Sequence, residues 1–260
     1  MRLTLVALAF AGGLFAGLLL FQELGRRIGV RELERNPAGR GGAGVVEGAV
    51  FGLLALLIGF TFSSAATRFD GRRQLIVQEV NAIGTAWLRI DLLPEASQPA
   101  IRDGFRRYLD ARLAAYGKFP DMSAANVEFA NATRAQQDIW ARVVAASAAS
   151  VAPDGDRVRV LIIPALNDMF DIAQARLLAM QMHPHPVIWV MLATMALAGA
   201  LLAGYGMANG QARNWVYMIG FAGTIAVASY VIMDLEFPRL GLIRVNSFDQ
   251  ALVDVRASMK

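Results

Sequence analysis

Four stretches of the chain, residues 3–21, 48–67, 187–206 and 215–233, contain no charged side chain. Each approaches the roughly 20 apolar residues that a helix needs to cross a hydrocarbon layer about 30 Å thick. Apolar residues make up 56% of the 260 positions and only 18% are charged, too apolar a balance for an ordinary soluble domain of this size. The excess therefore has to be solvated by lipid. Charge is instead dense between residues 68 and 118. The pattern predicts an all-α membrane protein with four transmembrane helices, two plus two, flanking a water-soluble helical domain. Its boundaries are 1–64 for the first two spans, 65–186 for the soluble domain, 187–235 for the last two spans and 236–260 for a tail.

The first span is predicted over residues 3–21. Met1 and Arg2 before an apolar run imitate a signal peptide, but small-x-small triplets such as Ala9-Phe10-Ala11 lie inside the run, so it is kept as a spanning helix. Gly13 and Gly17 stand four apart, as do Gly44, Gly48 and Gly52 at the start of the second span, a spacing that lets a neighbouring helix come close. Residues 22–42, with Arg26, Arg27, Arg31, Arg35 and Arg40, are predicted as a polar loop.

The second span does not stop at the membrane. No proline occurs from residue 65 until Pro94, and Leu75, Ile76, Val80, Ile83, Trp87 and Ile90 continue an apolar stripe at helical spacing. One long helix should run from bilayer to soluble domain. Ser97 is a plausible cap for a following helix striped by Ile101, Phe105, Tyr108, Leu109, Leu113 and Tyr116. A third helix is expected over 123–149 with Val127, Phe129, Ile139, Trp140 and Val143 buried. A fourth runs over 157–182, where Pro164 should kink it or end a short first turn. Trp189, Tyr205, Trp215 and Tyr217 mark the ends of the last two spans, where amphipathic rings are expected.

Four crossings place both termini and the soluble domain on one side. That side carries Arg2, Arg68, Arg72, Arg73, Arg176, Arg239, Arg244 and Arg256; the other carries the five loop arginines and Arg213. Eight against six favours a cytoplasmic domain in a multi-pass protein of the inner membrane. The net charge of +4 comes mainly from these juxtamembrane arginines, which read as contact with lipid headgroups rather than nucleic acid.

Strong enzymatic signatures are missing: there is no nucleotide loop, no HExxH and no nucleophile elbow. With no cysteine, thiolate chemistry and Cys-ligated metals are excluded. No enzyme activity, cofactor or metal is expected. His183 and His185 are separated and followed by prolines, a membrane-entry hinge more naturally than a metal pair. Asp168 and Asp171 read as a solvated or Arg176-paired face, and Asn81 and Thr85 as partners in helix-to-helix hydrogen bonds. Glu47 opens an otherwise uncharged span, where an ionisable group is expensive; it is either interfacial or lines a water-filled path. Leu53, Leu56, Phe60 and Ser63 or Ser64 fall on one face of the second helix. Alone, that face is a packing or lipid-facing stripe. Around a common axis of several subunits, it stacks apolar rings above polar ones, the construction of a hydrophobic pore constriction.

The run Gly59-Phe60-Thr61-Phe62-Ser63-Ser64-Ala65-Ala66-Thr67-Arg68-Phe69-Asp70-Gly71-Arg72-Arg73, followed by Asn81-Ala82-Ile83-Gly84-Thr85, resembles the bestrophin-like domain family of bacterial membrane proteins, whose function is unassigned. So do Arg107-Tyr108-Leu109-Asp110-Ala111-Arg112, Pro164-Ala165-Leu166-Asn167-Asp168-Met169 and Leu235-Glu236-Phe237-Pro238-Arg239-Leu240-Gly241-Leu242-Ile243-Arg244. A more distant similarity to bestrophin ion channels implies a homo-oligomer, a pentamer, whose second helix lines an ion path narrowed by an apolar neck. On that resemblance Leu53, Leu56 and Phe60 form the constriction, and Glu47, Ser63, Ser64 and Arg68 line it with polar groups; the partners are membrane lipid and inorganic ions. The sequence departs from the bestrophin pattern at Thr61 and Phe62, where arginine and asparagine usually follow the phenylalanine, and nothing resembles the calcium clasp of the animal channels. The rival reading is a non-conducting membrane sensor or scaffold whose soluble domain docks a partner.

Overall fold

The computed structural model describes residues 2–35, 43–149, 154–209, 213–239, 241–243 and 245–259. Among these there is no strand. The described residues form eight α-helices in turn: α1 (Arg2–Arg35), α2 (Ala43–Leu88), α3 (Gln98–Gly117), α4 (Met122–Ala149), α5 (Asp154–Gln181), α6 (Pro186–Gly206), α7 (Trp215–Glu236) and α8 (Asn246–Ser258). Four stretches are long and apolar enough to cross a membrane: Leu5–Arg35, Gly44–Leu92, Asp156–Gly206 and Trp215–Glu236. The chain is a membrane protein. It divides into two compact units, one of Met1–Phe69 with His183–Ile243 and one of Asp70–Met182 with Arg244–Lys260.

In the first unit α1 packs against α6 and α7 around Leu14, Leu18, Ala196, Ala200, Ala222 and Ile225. Lipid tails are as apolar as these side chains, so close van der Waals fit, not exclusion from water, holds such helices together. The fit is tightest at Gly25 and Gly204. A Cβ on Gly25 would fall 1.9 Å from the Leu201 carbonyl oxygen, and one on Gly204 would fall 1.9 Å from that of Gln22. The close approach expected at Gly13 and Gly17 is therefore misplaced: Gly13 meets nothing within 4 Å and Gly17 only the end of Leu197. A Cβ on Gly44, Gly48 or Gly52 likewise meets nothing within 4 Å among the described residues, because α2 packs through a different face.

The predicted loop over 22–42 is helical as far as Arg35; residues 36–42, with Arg40, lie outside the described residues. No proline occurs between residues 22 and 35, and Glu23 accepts from Arg26 and Arg27 three and four positions on, at 3.1 and 2.9 Å, which supports the helix beyond its apolar part. Glu23 also accepts from Arg213 at 3.0 Å.

The second unit has its core among Ile83, Ile90, Ile101, Phe105, Tyr108, Leu109, Ile139, Ile162, Leu166 and Met169. α2 contributes Ile76 and Ile83, and the 3-10 turn Arg89–Leu92 that follows it contributes Ile90, seven apart and all fully buried, the stripe read from the sequence. On α4, Phe129, Ile139 and Val143 are buried, but Val127 and Trp140, expected inside, are 59% and 36% exposed. Trp140 lies against Phe170 at the edge of the core. Ser97 does not cap α3: its hydroxyl donates to the Pro94 carbonyl at 2.7 Å, within the short 3-10 turn Glu95–Ser97 that leads into the helix. α5 runs through Pro164 unbroken. Pro164 cannot donate to the Val160 carbonyl, and the Arg89 guanidinium donates to the adjacent Leu161 carbonyl. The expected tail is a docked helix, with Leu252 and Met259 buried in the core and Arg106 donating to the Met259 carbonyl at 3.2 Å.

A buried ionic cluster joins four helices of this unit. Glu79 of α2, with no exposed surface, accepts from Arg112 of α3 at 2.9 and 2.6 Å and from Arg176 of α5. Arg112 also donates to the Tyr116 hydroxyl, and Arg176 lies over the Tyr116 ring while donating to Asp249 of α8. Burial opposes the charge on Arg112, but Tyr116 and Glu79 outweigh it and hold the guanidinium above its ordinary range. Arg176 is therefore committed to Glu79 and Asp249, not to the Asp168/Asp171 face, whose carboxylates are exposed. Asn81 and Thr85, expected to bond a neighbouring helix, are exposed as well.

Candidate functional site: the exposed face of the second helix

Over its first part α2 has two unlike faces, a consequence of 3.6 residues per turn. One is packed. Leu54 joins the α1, α6 and α7 core, Phe51 meets Phe221 edge-on at 5.8 Å, and Ala65 is buried with Ile232 and Leu235. Thr61 belongs to this side; it is buried, and its hydroxyl donates to the Leu57 carbonyl one turn back at 2.7 Å. The departure from the bestrophin pattern at 61 thus falls on the packed side, whereas Phe62 is 46% exposed.

The other face carries Leu53, Leu56 and Phe60, exposed by 54, 52 and 65%, followed by the exposed Ser63 and Ser64. Spacings of three and four residues align them along one side of the rod. Of the four candidate spans, α2 is also the least covered: 11% of its most apolar window is buried, against 22, 28 and 33% for the others.

Glu47 and Arg68 do not join this file. The Glu47 carboxylate turns toward α6, where a Cβ on Gly206 would stand 2.9 Å from its Oε1. Arg68 turns to the end of α7, its Nε donating to Glu236 Oε1 at 2.9 Å and Oε2 at 3.2 Å. Glu236 is completely buried. A buried acid survives only when paired and hydrogen-bonded, and Arg68 supplies both. His183 completes the group, its ring stacked on Phe237 with centroids 4.5 Å apart and its Nδ1 3.9 Å from Glu236 Oε2.

The functional grouping of Glu236 and His183 is absent from a reading by residue spacing, since the partners of Arg68 lie more than a hundred positions away. The available signal was an acid placed at the end of the last apolar span. Asp234, two residues earlier, is also buried; its carboxylate accepts the amides of Leu242 and Ile243 at 2.9 and 2.7 Å and so ties down the turn after α7. His185 caps α6, its Nδ1 accepting the Val187 amide at 3.3 Å. Among the described residues no group of three or more His, Asp or Glu side chains converges as metal ligands.

The family described as Bestrophin-like domain matches residues 12–247. No curated protein sequence matches the chain. Among solved structures, the fold is similar to the crystal structure of a point mutant of a bacterial bestrophin homologue from Klebsiella pneumoniae, with a TM-score of 0.62 and 14% sequence identity over 92% of this chain and 98% of that one. At this identity the likeness describes the fold.

Proposed function

Because this chain belongs to the bestrophin-like domain family, we propose that it is an ion channel or pore, not an enzyme, formed by a homo-oligomer whose copies of α2 surround an axial path. The proposed assembly is a pentamer in the inner membrane, with the soluble domain and both termini cytoplasmic. The observation that carries this reading is the file of Leu53, Leu56 and Phe60 leading to Ser63 and Ser64, exposed on the least covered of the four spans.

In a ring, Leu53, Leu56 and Phe60 of each copy form successive apolar collars. A collar narrow enough to lose its water blocks ions, and widening it restores water and conduction. Ser63 and Ser64, one turn on, offer hydroxyls to an ion leaving its hydration shell. Arg68 is neutralised by Glu236 and Glu47 lies against α6, so the exposed file carries no fixed charge. A constriction of this kind selects by size and dehydration rather than by the sign of a charged ring.

Reconstitution in planar bilayers tests the proposal. Phe60→Ala and Leu56→Ala should each raise the current or remove its gating relative to the parent. Absence of current in all three proteins would refute conduction and favour a non-conducting sensor or scaffold.

A further inference from the structure

We infer that His183 is a proton-operated latch that ties the entry of α6 to the end of α7. The latch does not depend on conduction and is stated for the folded chain itself.

The residue lies in His183-Pro184-His185-Pro186, between the end of α5 at Gln181 and the start of α6 at Pro186. A following proline keeps each histidine out of helical backbone, so the imidazoles are placed by an extended connector. The two rings have different tasks. His185 uses its Nδ1 lone pair to accept the Val187 amide. His183 instead presents Nδ1 to Glu236 Oε2 at 3.9 Å, with its side chain 35% exposed and open to protons from solvent.

At 3.9 Å a neutral imidazole makes no hydrogen bond. A protonated one pairs with the carboxylate, and its stacking on Phe237 gains attraction between cation and ring. The charged groups near it include Glu236 from α7, Arg68 from α2 bound to that same carboxylate, and Arg72 one turn further along α2, whose guanidinium donates to the carbonyl of Met182, the residue before His183, at 2.8 Å. Arg68 repels the imidazolium and sets a limit on the gain. Asp234, on the same helix end, is taken up by the amides of Leu242 and Ile243, and His185 on the same connector is the cap of α6. Imidazole is the side chain whose charge ordinarily changes between about pH 5 and 8. A contact strengthened by its protonation is fully present on the acid side and is lost as pH rises through its titration.

Hydrogen exchange by mass spectrometry on the full-length protein in lipid nanodiscs tests the latch, following the amides of residues 187–189 with exchange times corrected for the intrinsic effect of pH. Protection should be at least about threefold higher at pH 5 than at pH 8, with a single-proton midpoint between. His185→Gln should keep that difference. His183→Gln should abolish it, leaving the weaker protection at both pH values, and His183→Lys, permanently charged, should give the stronger protection at both. A difference that survives His183→Gln, or a His183→Lys protein as weakly protected as His183→Gln, would overturn the inference.

Discussion

Replacing Glu79 by glutamine removes one negative charge from a place with no exposed surface. The side chain keeps its shape, so the effect isolates the charge. Two guanidiniums face it, but they are not equally affected. Arg176 retains Asp249 as a second carboxylate, whereas Arg112 is left with the Tyr116 hydroxyl and aromatic rings. The penalty therefore concentrates on Arg112, a nearly buried cation deprived of its counter-ion. Breaking a buried pair by removing one partner costs about 3–5 kcal/mol, most of it the desolvation that the lost partner had offset. At about 2–4 °C per kcal/mol for a protein of this size, the melting transition should fall by roughly 6–20 °C. The assay is thermal unfolding in detergent followed by tryptophan fluorescence, with Asp171→Asn, an exposed carboxylate on α5, as a control that should move by less than about 2 °C. A combined Glu79→Gln, Arg112→Met, Arg176→Met protein should recover much of the loss, because the buried site then holds no guanidinium that needs a counter-charge. A Glu79→Gln transition within about 2 °C of the parent would show that the cluster is solvated, and the reasoning would fail.

The α1–α6 contact should tolerate no side chain at its crossing. Gly204→Leu forces a branched side chain into the Gln22 backbone, so size-exclusion chromatography should find most of that protein aggregated, while Gly13→Ala, with open space around it, should elute as the parent does. At the C-terminal helix, packing should matter more than charge. Leu252→Ala should cost about 2–5 kcal/mol and expose α8 amides to exchange, whereas Arg256→Gln, which breaks an exposed pair with Asp110, should cost at most about 1 kcal/mol.

Legibility followed the range of the interactions. The spans and the unbroken second helix were readable because lipid and helix periodicity act on neighbouring residues: absent charge gives the first, and Ile76 and Ile83 at helical spacing, with no proline between them, give the second. The end of α1 was misread because arginines counted as loop, although Glu23 with Arg26 and Arg27 already had the spacing of helical ion pairs. Glu79, Arg112 and Arg176 escaped for another reason. A charged residue in an amphipathic stripe looks like solvent-facing surface, and only partners 33 and 97 positions away turn it into a core residue. Glycine spacing was legible as a pattern but not as a contact, since which glycine meets a neighbour depends on the crossing point. Leu53, Leu56 and Phe60 were legible as one face of α2 from spacing alone; what stands against that face belongs to assembly.

The crossing of α1 with α6 also has a consequence for how the protein is made. Gln22 and Gly204 are 182 positions apart in the sequence, so at translation rates of about 5–20 residues per second the first helix waits roughly 9–36 s for its partner to be synthesised. During that interval the backbone around Gln22 and Gly25, which α6 covers in the finished fold, lacks its partner. Yield should therefore respond to translation speed between those two points.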